Sequence, residues 1–303
     1  MATNDNPSRG EVLALGTAAA AAAGVALMLA RDLRGRESLR DTWTRAGGCR
    51  IFARVGGSEH TATFPLPVVL VHGYGMSSRY MIPTAVRLAP EFLVYAPDLP
   101  GHGRSDKPAR PLQVKELVET LVRWMDASGI ERACMVGHSF GCQIAAHLTA
   151  CYPDRVERVA LVAPVVDPQA ATISQQVRRM LASSLAERLT LGLLLALDYA
   201  VAGPRVLADE LRELVGYRIS DDLERITAPG MVVWGSRDAI VPDRWARRVA
   251  QLMHAERIEI IRGGGHALNY SAPAALVAAL RPFLREAGGA RRNVRLPHGA
   301  AAR

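Results

Sequence analysis

Residues 133–141 read Ala-Cys-Met-Val-Gly-His-Ser-Phe-Gly, and the chain continues Cys-Gln-Ile-Ala-Ala-His-Leu-Thr-Ala-Cys-Tyr (142–152) before Pro153. An unbroken apolar run, a G-x-S-x-G turn and a helix-forming stretch follow one another. That order reads as a strand buried on both faces, a tight turn and a helix. A residue on such a strained turn needs small neighbours two positions to either side, and Gly137 and Gly141 supply them. Ser139 then sits where the amide-rich N-terminus of the helix favours negative charge.

The same pattern repeats on both sides of this stretch. PVVLV (67–71), FLVYA (92–96), VERVALVAPVV (156–166), MVVWG (231–235) and RIEII (257–261) are short apolar runs, most of them followed by helical sequence. TWTRA and CRIFARV around Gly47-Gly48 read as a hairpin, and VKELVETLVRWMDAS (114–128) has helical periodicity ending at Gly129. Buried strands alternating with helices predict an α/β protein with a doubly wound, mostly parallel sheet, whose ligands bind beyond the carboxyl ends of the strands. Between Val166 and about Thr227 that pattern stops. QQVRRMLASSLAERL and PRVLADELRELVGY are amphipathic, and LTLGLLLAL (189–197) is apolar all round. Leu191, Leu193, Leu194, Leu195 and Leu197 are expected to place one face on neighbouring helices and another on a cavity above Ser139. Arg178, Arg179 and Arg188 are expected either to face solvent or to reach the mouth of that cavity. The expected organisation is an apolar segment and linker at 1–40, a core at 41–166 and 227–287, a helical insertion at 167–226 and a basic tail at 288–303.

A serine hydroxyl needs a base to act as a nucleophile at neutral pH. His266 follows the last apolar strand in RIEIIRGGGH, at the same sheet edge as Ser139, and the glycines at 263–265 let that loop bend back. His138 is the rival, but a residue next to the serine on such a turn points away from Oγ; His72 and His102 read as pocket or structural residues. The base in turn needs an orienting carboxylate. Asp238 in MVVWGSRD is the candidate, Asp167 its rival, and Asp243 an ordinary helix N-terminal acid. The chain order is Ser139, Asp238, His266.

These residues carry a resemblance. His72-Gly73-Tyr74-Gly75, Asp98-Leu99-Pro100-Gly101-His102-Gly103-Arg104-Ser105, Gly137-His138-Ser139-Phe140-Gly141, Gly235-Ser236-Arg237-Asp238 and Gly265-His266, in this order, resemble the α/β-hydrolase superfamily over about residues 42–286. Within it the chain is similar to the serine-hydrolase branch of esterases, carbon–carbon bond hydrolases and cofactor-free haloperoxidase-like proteins. The resemblance implies a helical cap at the insertion and an oxyanion hole from the backbone N–H groups of Tyr74 and Phe140, with Gly73 in the His-Gly turn. It also implies acyl transfer through Ser139 with no metal or organic cofactor. Branches with an aspartate nucleophile are excluded by Ser139. Many relatives carry Gly-Gly where this chain has Gly141-Cys142, and a larger residue at Gly264, which would loosen the His266 loop. The expected function is hydrolysis of a carboxylic ester or related acyl bond of an apolar small molecule. The alternatives are hydrolysis of ring-fission diketones and, in another class, a non-catalytic binding protein on the same fold.

Composition narrows the remaining classes. The chain has 303 residues, 49% of them apolar and 22% charged, which excludes bulk disorder and a polytopic membrane protein. Cys49, Cys134, Cys142 and Cys151 form no C-x-x-C, and no two histidines stand at H-x-x-x-H spacing, so neither a disulfide scaffold nor a metal site is expected. The net charge of +8 is half in the tail, where Arg291, Arg292, Arg295 and Arg303 face no acid. No basic stripe is interleaved with aromatics, so nucleic acid is not an expected partner. Residues 12–30 are uncharged for 19 positions, long enough for one bilayer crossing, although the run is rich in alanine. Arg31, Arg34, Arg36 and Arg40 would then hold the following domain on the cytoplasmic side. A cleaved signal peptide and an Ala-rich helix of a cytoplasmic protein are the competing readings.

Overall fold

The computed structural model describes residues 23–24, 26–28, 30–31, 33–58 and 63–287. The basic tail and most of the 12–30 run lie outside the described residues; within 23–31 the described residues are helical, with Leu27 and Met28 exposed. Among the described residues no single helix is long and apolar enough to cross a membrane.

The body is one eight-stranded sheet in the order β1-β2-β4-β3-β5-β6-β7-β8. Its strands are β1 (Arg40–Ala46), β2 (Cys49–Gly56), β3 (Val68–Val71), β4 (Val94–Pro97), β5 (Ala133–His138), β6 (Val156–Val162), β7 (Gly230–Gly235) and β8 (Arg257–Ile261). β1 and β2 form the expected hairpin about Gly47-Gly48, and β2 pairs antiparallel with β4; all later pairings are parallel. The fold is therefore the mostly parallel α/β sheet read from the sequence.

Side chains alternate across this sheet with period two, so each strand feeds two cores. Val69, Val71, Met135, Val159, Leu161, Val232 and Trp234 pack on α2 (Val114–Ala127), α3 (Phe140–Cys151) and α8 (Asp243–Leu252). Val68, Leu70, Val94, Val136, Ala160, Val162, Met231 and Val233 pack on α1 (Ile82–Leu88) and, after the one-turn α9 (Leu268–Ser271), on α10 (Pro273–Arg285). Each fully buried Val, Leu or Ile contributes about 1.5–3 kcal/mol. α2 begins with a reciprocal cap, in which the Gln113 side chain accepts from the Glu116 N–H and the Glu116 carboxylate accepts from the Gln113 N–H. β8 departs from the expectation of a buried strand. It is the sheet edge, with Ile258 45% and Ile260 36% exposed.

Between β6 and β7 the chain forms α4 (Ile173–Ala186), α5 (Leu189–Ala202), α6 (Pro204–Gly216) and the short α7 (Ile219–Leu223). The leucines of α5 divide three ways rather than two. Leu191 and Leu194 are buried, Leu195 is half-buried on a cavity, and Leu193 and Leu197 face solvent with Leu189 and Val201.

Candidate active site

The site is assembled at the carboxyl edge of β3, β5, β7 and β8. β5 ends at His138, and the chain turns through Ser139, at φ 55° and ψ −117°, directly into α3. A non-glycine residue at this φ costs on the order of 1–3 kcal/mol and persists only where its surroundings impose it. Here the Ser139 N–H donates to Val162 O at 2.9 Å, and its carbonyl accepts from the Cys142 N–H at 2.9 Å. The flanking glycines are sterically required. A Cβ on Gly137 would run into the Gly141 carbonyl, and one on Gly141 into the carbonyls of Val71 and His72. A Cβ on Gly73 would meet Ser139 Cβ at 3.2 Å. Cys142 is fully buried, with Sγ 3.2 Å from the carbonyls of both Gly137 and Val162, and fills the place of a second small residue.

Ser139 Oγ lies 2.9 Å from His266 Nε2, and His266 Nδ1 lies 2.9 Å from Asp238 Oδ2. A carboxylate only accepts, so the proton on Nδ1 is donated to Asp238 and Nε2 is left to accept from the Ser139 hydroxyl. The other Asp238 oxygen accepts from the N–H groups of Ile240 at 2.8 Å and Val241 at 2.9 Å. Burial opposes ionisation of Asp238, but His266 and these two amides outweigh it and hold the carboxyl below its ordinary range. The turn after β7 and the loop after β8 are tied together: Ser236 N–H donates to Ile261 O and Arg237 N–H to Gly264 O. A Cβ on Gly264 would come within 2.5 Å of the Leu268 side chain.

The rivals go elsewhere. His138 points away from Ser139; its Nε2 donates to the His266 carbonyl at 2.9 Å and its Nδ1 accepts from the Tyr80 hydroxyl at 2.5 Å. Burial lowers its pKa to about 3, so it stays neutral and braces the backbone of His266. Asp167 is held by Arg244 at 2.5 Å and Arg179 at 3.5 Å, and Asp243 by Arg247. His72 accepts the Leu99 N–H at 3.0 Å, and burial likewise lowers its pKa to about 3. Phe140 is the first residue of α3 and is fully buried.

A cavity of about 100 Å³ opens onto Ser139 and His266. Gly73, Tyr74, Met76 and Tyr80 line it from the sheet edge, and Met180, Leu191, Leu195 and Tyr199 from the insertion. None of Arg178, Arg179 and Arg188 is among its lining residues. Arg179 instead donates to Ile240 O.

Three carboxylates of the insertion, none singled out from the sequence, reach the loops that carry this site. Glu210 on α6 accepts from Gly75 N–H at 2.9 Å and pairs with His102 at 3.2 Å. Asp198 on α5 accepts from Ser77 Oγ at 2.8 Å. Glu187, just after α4, accepts from Ala267 N–H at 3.0 Å and from the Ser271 hydroxyl. Asp98 closes the arrangement, accepting from Ser78 N–H and Arg104 N–H. The expectation of no metal ligands overlooked one pairing: His147 and Cys151 stand at i,i+4 on α3, and with Asp222 they bring ligand atoms within 4.8 Å of one another. Arg225 lies 3.8 Å from Asp222 and 3.9 Å from Cys151, a guanidinium already beside the carboxylate.

A family model described as the alpha/beta hydrolase family matches residues 68–280. The chain belongs to the alpha/beta hydrolase family. Among its relatives, this hydrolase is 28% identical over 278 residues to an uncharacterized protein of Mycobacterium tuberculosis, covering 73% of this chain and 81% of that protein. It is 28% identical to a putative carbamate hydrolase of Caulobacter sp., over 72% and 90% of the two chains. It is 35% identical to the lipase LipV of Mycobacterium tuberculosis, over 59% and 70%. Similar folds include a putative lipase of Acinetobacter baumannii (TM-score 0.67, 22% identity, 86% and 95% of the two chains). A meta-cleavage product hydrolase of Pseudomonas fluorescens is also similar (TM-score 0.62, 21%, 81% and 97%). The family and these relatives make the chain an enzyme of the hydrolase type.

Proposed function

We propose that this hydrolase cleaves carboxylic esters of uncharged, apolar small molecules through an acyl-enzyme on Ser139. The observation that carries the reading is the continuous hydrogen-bond chain from Asp238 through His266 to Ser139, with both links at 2.9 Å, opening onto a mostly apolar cavity. His266 Nε2 takes the Ser139 proton as Oγ attacks the ester carbonyl, then returns it to the leaving alcohol. Water deprotonated by the same nitrogen releases the acid. Asp238 holds the imidazole tautomer and stabilises the imidazolium. The backbone N–H groups of Tyr74 and Phe140 are assigned to the developing oxyanion, and α4 to α7 act as the cap.

The relative described as a lipase and the lipase among the similar folds support an ester as substrate. The meta-cleavage product hydrolase among those folds raises carbon–carbon hydrolysis as the second reading. Against it stands the cavity wall, where no lysine or arginine among the described residues is placed to hold an anionic ring-fission product. Labelling with a fluorophosphonate tests the assignment. The full chain should be labelled and Ser139→Ala should not; labelling that survives in Ser139→Ala, or that is absent from the wild type, removes the acyl-enzyme reading.

A further inference from the structure

The cavity over Ser139 is not electrically neutral. Glu187 lines it, at the junction of α4 and α5, and its carboxylate turns toward the loop after β8. A space is kept for it there: a Cβ on Gly265 would sit 2.5 Å from Glu187 Oε1. The two hydrogen bonds that fix it, from the Ala267 N–H and the Ser271 hydroxyl, come from neutral donors. Among the described residues no lysine or arginine lines the cavity wall, Asp238 is not among its lining residues, and His138 is uncharged. Glu187 is thus the acidic side chain of a wall otherwise made of neutral groups and His266.

We propose that Glu187 sets the charge selectivity of this site, rejecting substrates that carry a carboxylate and admitting neutral ones. The inference rests on the ester-hydrolase reading for its substrates, but its physical basis is separate. An anionic group brought into the cavity meets the Glu187 carboxylate, with no lysine or arginine among the described lining residues to offset it. At an effective dielectric constant of about 20 and a separation of roughly 8 Å, that repulsion corresponds to about a 30-fold loss of affinity. Its placement also makes Glu187 a tie between the insertion and the loop that carries His266, so the charge cannot swing away from the site without breaking two hydrogen bonds.

The test compares p-nitrophenyl pentanoate with the mono-p-nitrophenyl ester of glutaric acid, which has the same chain length and ends in a carboxylate. The readout is the ratio of their kcat/KM values, which cancels any loss common to both. Wild type should favour the neutral ester by about 10- to 100-fold. Glu187→Gln, which keeps an acceptor for Ala267, should narrow that ratio about tenfold or more, and Glu187→Asp should retain most of it. If Glu187→Gln does not fold, Ser184→Arg, at an exposed position on the cavity wall, should narrow the ratio by neutralising the charge. Calorimetric binding of the same two esters to Ser139→Ala and to Ser139→Ala/Glu187→Gln reads selectivity without turnover. A wild type that hydrolyses neither ester, while binding remains charge-selective through Glu187, defeats the acyl-enzyme reading alone. Binding ratios that are equal with and without the Glu187 charge overturn this inference whatever the fate of ester hydrolysis.

Discussion

At the scale of single residues, the hydrogen bonds around Ser139 separate His266 and Asp238, which form one chain with its hydroxyl, from His138 and Asp167, which bond elsewhere. Ser139→Ala is expected to lower kcat for ester hydrolysis by about 10⁴- to 10⁶-fold, measured against a p-nitrophenyl ester; turnover near wild type would dismiss the mechanism. The two aspartates give a sharper contrast. Asp238→Asn should lose on the order of 10⁴-fold in kcat, because an amide can donate to Nδ1 and so favours the wrong imidazole tautomer. Asp167→Asn should leave kcat within a few-fold, because Asp167 bonds Arg244 and Arg179 rather than His266. It should cost about 1–3 kcal/mol of stability, since Asp167 is buried and its bonds to Arg244 and Arg179 are weakened while Arg244 keeps contact with solvent. A large kcat loss in Asp167→Asn would move the acid to the end of β6.

At the scale of elements, α6 is pinned to the turn after β3 through Glu210, which bonds both Gly75 N–H and the buried His102. Burial alone would lower the pKa of His102, but Glu210 overrides it and the net shift is upward. A raised folded-state pKa makes the pair's contribution complete below the unfolded value of about 6.5 and progressively lost as pH rises through the folded value. Glu210→Gln is therefore expected to cost about 3–5 kcal/mol below about pH 6 and less in alkaline buffer. Chemical denaturation of the two proteins across this range measures the difference; a difference independent of pH would show that the His102 charge is not involved. The insertion was legible as helices from its amphipathic patterns. That Glu187, Asp198 and Glu210 are its attachment points was not, because a carboxylate on an amphipathic helix has the same spacing whether it meets water or a buried amide.

At the scale of the whole molecule, the last residues before β1 pack on the core. Leu39 is buried in the core shared with α1 and α10, Leu33 packs against that core, and Arg36 pairs with Asp41 on β1. A truncation removing residues 1–40 would take away Leu33 and Leu39 and expose part of this core, whereas one removing 1–31 retains both. The uncharged run at 12–30 should hold the full chain in the membrane fraction. The 1–31 deletion should then be recovered in the soluble fraction and still hydrolyse esters. Full-length protein found wholly soluble with its N-terminus intact would rule out the anchor. The edge position of β8 belongs to this scale too: RIEII carries Arg257 and Glu259 where β3, β5 and β7 carry no carboxylate, lysine or arginine, and the strand order leaves Ile258 and Ile260 uncovered.

What the sequence determined by itself was whatever depends on a few neighbouring residues. The turn at Ser139 was readable because the close backbone approach on either side of it leaves no room for a Cβ at 137 or 141, and the parallel sheet because a strand buried on both faces has to be apolar without interruption. The order Ser139, Asp238, His266 was readable because each follows a strand and so reaches the same sheet edge. Tertiary structure decided the partners. Asp238 and Asp167 both follow strands, and only the sheet order and the bend at Gly263–Gly265 bring one of them to His266. Glu187 finds Ala267 across 80 positions and Glu210 finds Gly75 across 135. The reason is one of range: steric limits on φ and ψ act between adjacent residues, whereas the cost of burying a charge depends on which polar groups the completed fold brings within hydrogen-bond distance.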